Sequence, residues 1–115
     1  MNIIQAVYSV RKDAVVILEG GGMLMIGDWK EKVSAVLMGY YPGMEGGTAL
    51  GEVLFGKINP SGKLPFSVPE KQEHLPHIDW DAKVQWYEYY SGYMRLDKNG
   101  WEPAFPFGFG MSYTE

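Results

Sequence analysis

The sequence predicts an α/β fold. A mostly parallel sheet with flanking helices is expected over about residues 1–68, followed by a loop-rich aromatic segment over 69–115. Three observations carry that expectation. The run Ala14-Val15-Val16-Ile17-Leu18 is continuously apolar and β-branched, which suits a strand covered on both faces. A second such run, VSAVLMGY at 33–40, follows it, and segments of helical spacing flank the two. Beyond residue 68 the periodicity dissolves into aromatic stretches punctuated by proline.

The elements follow in chain order. Ile3, Ile4, Val7 and Val10 fall on one helical face, with Gln5, Ser9 and Arg11 elsewhere, so a helix is expected from Met1 onward. Arg11 and Lys12 suit its C-terminal end, where cations offset the helix dipole. The strand at 14–18 runs into Glu19-Gly20-Gly21-Gly22, and the strand at 33–40 is closed by Pro42-Gly43. Ala49, Leu50, Val53 and Leu54 lie at i, i+1, i+4 and i+5 of a helix that Gly56 stops as its C′ residue. Asn59-Pro60-Ser61-Gly62 is turn chemistry, because proline presets φ and glycine accepts a positive one. Pro65 restricts 64–68 to an edge strand or an extended segment, since proline donates no ladder hydrogen bond. No repeat or low-complexity tract is present.

Composition narrows the function. A chain of 115 residues is one domain's worth, or part of a larger one. The net charge of −4 leaves no basic stripe to displace phosphate counterions, so no nucleic acid partner is expected. The absence of Cys removes disulfide and thiolate chemistry. No apolar run approaches the roughly 18 residues that span a bilayer, and MNIIQAVYSVRKD has no basic region ahead of an apolar one. No membrane partner is therefore expected, and the sequence leaves the compartment unknown, with cytoplasmic as the default.

Few residues suggest chemistry. Glu19-Gly20-Gly21 follows a strand, where ligands of open α/β sheets bind, and reads either as a cleft edge or as a plain tight turn. It matches neither GxGxxG nor Gly-Lys-Ser/Thr, and no cofactor is expected. Glu45 opens the helix before Ala49, where a carboxylate offsets the exposed N–H groups by about 0.3–1 kcal/mol. Glu19 and Glu45 both follow strand ends, but spacing alone does not supply the separation that an acid and base need. His74 and His77 straddle Pro76 and lack further ligands, so no metal is expected. Asp79 and Asp81 flank Trp80 in a polar loop. Trp86, Tyr87, Tyr89, Tyr90 and then Tyr93 form the densest aromatic run. In a strand, half of those rings share a face on which a sugar stacks; inter-domain packing is the competing explanation.

The stretch YPGMEGGTALGEVLFGKINPSGKLPFSVP, the closing FPFGFGMSYT and the earlier VVILEGG resemble the α/β sandwich that forms the second half of the catalytic unit in glycoside hydrolase family 3, the β-glucosidase family. The resemblance covers nearly the whole chain. It implies that 1–115 is the C-terminal portion of an (α/β)6-sandwich, the preceding barrel domain being absent. It further implies retaining hydrolysis of terminal β-D-glucose or a related sugar, through an Asp nucleophile on the barrel and a Glu acid/base in the sandwich. Neither carboxylate falls on a position of this chain, so no catalytic residue is assigned. Where family members read Glu-Gly-x-x-Val-Gly-Tyr-Arg, the present YEYYSGY departs, and Glu88 aligns to that Glu only with a shift. The expected partners are the barrel, in cis or in trans as a complementing chain, and a carbohydrate. A stand-alone sugar-binding module using the aromatic run is the alternative. Unpaired edges and apolar patches also lead us to expect homo-oligomers of the isolated chain.

Overall fold

The computed structural model describes residues 3–114. Helix α1 (Ile3–Val10) leads into strand β1 (Val15–Glu19), and a short 3₁₀ turn (Lys30–Lys32) leads into β2 (Ala35–Tyr40). Helix α2 (Gly46–Leu54) follows, then β3 (Val68–Pro69), a second 3₁₀ turn (Gln72–His74), α3 (Tyr93–Asn99) and β4 (Pro103–Phe105). The expected start of α1 at Met1 lies outside the described residues. Arg11 stands one residue past the helix and binds the Asp13 carboxylate through both Nε and Nη2 at 2.9 Å, rather than capping α1.

β1 and β2 pair in parallel, from Val15 opposite Ala35 to Leu18 opposite Met38. A one-residue slip then sets Glu19 opposite Tyr40. Gly39 absorbs the extra residue, and Tyr40 takes a left-handed φ of 54°, a conformation that a bulky side chain adopts only under constraint. The slip turns the strand end into the 41–45 loop. α2 ends as its sequence requires: Gly56 has a φ of 74° and its amide donates to the Val53 carbonyl.

The expected double burial of β1 is not observed. Its residues alternate between exposed and half-buried, with Val15 47% and Ile17 37% exposed. A β-branched run is buried on both faces only when both faces are covered. Among the described residues the sheet has two strands, and nothing covers this side of β1. The apolar stripe of α1 is likewise open at Ile3, Val7 and Val10. Among the described residues the buried apolar core is Ile26, Val68 and Leu96, each 4% exposed.

The second half is held differently. β3 and β4 pair antiparallel, with Val68 opposite Phe105 and Pro69 opposite Pro103. Pairing continues outside the strands. Leu64 exchanges backbone hydrogen bonds with Gly108 and Phe109 at 2.8 Å, and the Phe107 amide donates to Ser67 Oγ. Asn59 closes the far end, donating to Ser112 Oγ and Thr114 Oγ1 and accepting from the Tyr113 amide. The Tyr113 hydroxyl reaches back to the Val53 carbonyl on α2 at 2.8 Å. The Asn-Pro-Ser-Gly turn and the closing Met-Ser-Tyr-Thr are thus one zipper. At 64–68 the extended reading holds for Leu64, and the strand begins only at Val68.

Candidate functional site

Two surfaces hold the residues that the sequence singles out. The first is the rim at the carboxyl ends of β1 and β2. The Gly20 amide donates to the Tyr40 carbonyl at 3.0 Å, which joins the two strand-end loops. A Cβ on Gly21 would lie 2.8 Å from the Tyr41 ring, so only glycine lets that ring settle there. Gly46 is as tightly held, since a Cβ there would come 2.5 Å from Pro42. Glu19 and Glu45 both sit on this rim and both are exposed. Glu45 is the N-cap residue of α2 and makes no side-chain capping bond, so any support it gives the helix end is through charge alone.

The second surface is the aromatic run. Residues 86–90 form no strand, so the expected alternation of rings across a sheet is not observed. The segment between the second 3₁₀ turn and α3 has no ladder partner, and side chains instead of backbone periodicity set ring directions. Trp86, Tyr87 and Tyr90 line a shallow depression of about 180 Å³ with Pro76, His77, Glu88, Ser91 and Arg95. Tyr89 lies outside it, 82% exposed, edge-on to Tyr90 with ring centroids 5.4 Å apart. Tyr93 opens α3 and packs on Phe107 at 5.7 Å, lining a separate, more apolar hollow.

Three features of this surface had no sequence signal. Arg95 reaches the depression because α3 starts at Tyr93, within a segment expected to be loop. Its Nε donates to the His74 carbonyl at 3.1 Å. The His74 ring stacks on Trp101 with centroids 4.4 Å apart and planes 10° from parallel, and its Nδ1 is buried with no hydrogen-bond partner. Lys98 Nζ lies 3.7 Å from Glu88 and 4.5 Å from the centre of the Tyr90 ring. Contacts across 8 to 27 residues in irregular backbone leave no periodicity to read. Among the described residues no group of three or more His, Cys, Asp or Glu side chains is placed to hold a metal.

Four carboxylates among the described residues pair with cations. Besides Asp13 and Glu88, Glu70 binds Lys30 at 2.7 Å and Glu52 binds Lys57. Arg11 holds the Asp13 carboxyl below its usual range, first through the hydrogen bond, and Asp13 in turn raises the Arg11 guanidinium. Both side chains are exposed.

Comparison with known proteins places this geometry. A family profile described as the glycosyl hydrolase family 3 C-terminal domain matches residues 1–113. The chain is 41% identical over 119 residues to thermostable beta-glucosidase B of Acetivibrio thermocellus, covering 99% of the chain and 16% of that protein. It is 39% identical over 122 residues to a beta-glucosidase of Rhizobium radiobacter, covering 98% of the chain and 15% of that protein. Among solved structures, the GH3 beta-glucosidase of Bifidobacterium adolescentis superposes with a TM-score of 0.82 at 33% identity, covering 96% of the chain and 17% of that structure. The beta-D-glucoside glucohydrolase of Trichoderma reesei superposes with a TM-score of 0.88 at 26% identity, covering 98% and 16%. The chain therefore spans about one sixth of the length of these relatives. The profile match over 1–113, with which the short parallel sheet and helices agree, shows that the chain belongs to the glycosyl hydrolase family 3 C-terminal domain family.

Proposed function

We propose that this chain is the C-terminal portion of the α/β sandwich of a retaining β-glucosidase-type glycoside hydrolase. In this reading it supplies scaffold and subsite surface to a centre whose nucleophile and acid/base lie on other polypeptide. The whole enzyme removes terminal β-D-glucose or a related sugar from a glucoside.

One observation carries this reading. The chain exposes 8987 Å², whereas a compact monomer of 13.0 kDa exposes about 6,300 Å². Its radius of gyration is 16.5 Å, against about 13 Å for a compact chain of this length. The surplus of roughly 2,600 Å² exceeds the ~800 Å² that each partner buries in a standard protein–protein interface. Surface on that scale suits a cut through a domain interior, with the open faces of α1 and β1 as parts of the cut. A barrel and the remainder of the sandwich, joined in cis, are the proposed cover, as the 16% coverage of relatives named beta-glucosidases favours.

The chain alone is expected to show no turnover, because a retaining mechanism needs two carboxylates about 5–5.5 Å apart. Assay of the purified chain on an aryl β-D-glucoside tests this. Hydrolysis that co-purifies with the chain through successive columns overturns the proposal.

A further inference from the structure

We infer that the depression between Trp86 and Arg95 is a binding site for a neutral pyranose, built from Trp86, Tyr87 and Tyr90 with Glu88, His77 and Arg95 around them. The inference rests on the glycosidase reading above and assigns one of its subsites.

The site is held by contacts that its own residues do not need for the core. Arg95 is fixed from behind through Nε to the His74 carbonyl, with its guanidinium 5.8 Å from the centre of the Trp101 ring. Its two terminal amino groups have no partner among the described residues, and the side chain lines the depression. The Glu88 carboxylate lies 3.7 Å from Lys98 Nζ, which is 4.5 Å from the centre of the Tyr90 ring. A donor held from behind and a carboxylate acceptor thus share one concave surface with three aromatic rings.

That combination selects a ligand class. A pyranose has an apolar face of C–H groups that stacks on an aromatic ring, and a girdle of hydroxyls that both donate and accept. Glu88 accepts from such hydroxyls and Arg95 donates to them. An anion would meet the Arg95 guanidinium but also the Glu88 carboxylate, which repels it. A purely apolar ligand leaves the terminal amino groups of Arg95 desolvated without partners. Trp86 is 88% exposed, which leaves its indole face open to the ligand. Tyr89 and Tyr93, which point elsewhere, are excluded from the site.

The test uses the 115-residue chain and ligand-observed saturation-transfer NMR with methyl β-D-glucopyranoside and cellobiose, and with inorganic phosphate as the anionic comparison. Saturable sugar binding is expected, with no competition from phosphate. Trp86→Ala weakens it roughly tenfold and Trp86→Phe restores most of it. Glu88→Gln weakens it several-fold, and Tyr89→Ala leaves it unchanged. Absence of saturable binding overturns the inference, as do equal losses from Trp86→Ala and Tyr89→Ala, or displacement by phosphate. None of these outcomes bears on the glycosidase reading, which turnover of a completed enzyme decides.

Discussion

Removal of the Asn59 carboxamide probes the zipper that joins the two motif segments. The Asn59 side chain meets three groups: the Ser112 hydroxyl at 2.9 Å, the Thr114 hydroxyl at 2.8 Å and the Tyr113 amide at 2.8 Å. Each hydrogen bond contributes about 0.5–1.5 kcal/mol net, and the lower half of that range applies to groups as exposed as these. Asn59→Ala therefore costs about 2 kcal/mol locally. Asn59→Asp costs far less, because the Ser112 and Thr114 hydroxyls rotate to donate to the carboxylate and the Tyr113 amide keeps an acceptor. The readout is amide hydrogen exchange at Tyr113, whose exchange reports local opening. Asn59→Ala is expected to speed it roughly thirtyfold and Asn59→Asp less than threefold. Equal effects from the two variants, or no acceleration in Asn59→Ala, refute the claim that the carboxamide holds the strap.

Other substitutions separate packing from surface charge. Leu96→Ala empties a side chain that is 4% exposed and should cost about 2–5 kcal/mol in urea unfolding. Its cost should exceed that of Val10→Ala, whose side chain is open to solvent. Gly27→Ala drives a Cβ into the Glu70 carbonyl oxygen, and Gly110→Ala does the same to that of Gly62; each should lose about 1–3 kcal/mol in the same assay. The folded Asp13 pKa is depressed, so its contribution is present above the unfolded carboxylate value and lost as pH falls through the folded one. Arg11→Ala should move the Asp13 titration, followed by NMR, upward toward the ordinary carboxylate range, with little change in stability because the pair is exposed.

What the sequence discloses is what local chemistry determines. β1 and β2 stand close to where their β-branched runs place them, and Gly56 stops α2 because φ near 74° excludes most other residues. The two motif segments resemble those of one family, and their backbone pairing gives that resemblance a physical basis. β4, by contrast, is three residues long and exists only because Val68 and Pro69 meet it from 37 and 34 residues away. α3 follows Gly92, with φ 57°, within a run whose aromatic content suggests strand or loop, and Gly100 in the left-handed region ends it. The open face of β1 was misjudged for a related reason. Side-chain character shows that a strand wants to be covered, and it does not show which polypeptide covers it. The aromatic site follows the same logic, since Trp86 and Tyr87 are conspicuous in sequence while Arg95 joins them only through the fold.

Completion of the site by a partner tests the central claim most directly. The beta-glucosidase B of Acetivibrio thermocellus is prepared without its segment matching this chain, and turnover of an aryl β-D-glucoside is measured for each piece and for the mixture. The account predicts no turnover from the 115-residue chain, little from the shortened relative, and recovery on mixing that saturates with added chain. Hydrolysis by the chain alone contradicts it, as does a mixture no more active than the shortened relative.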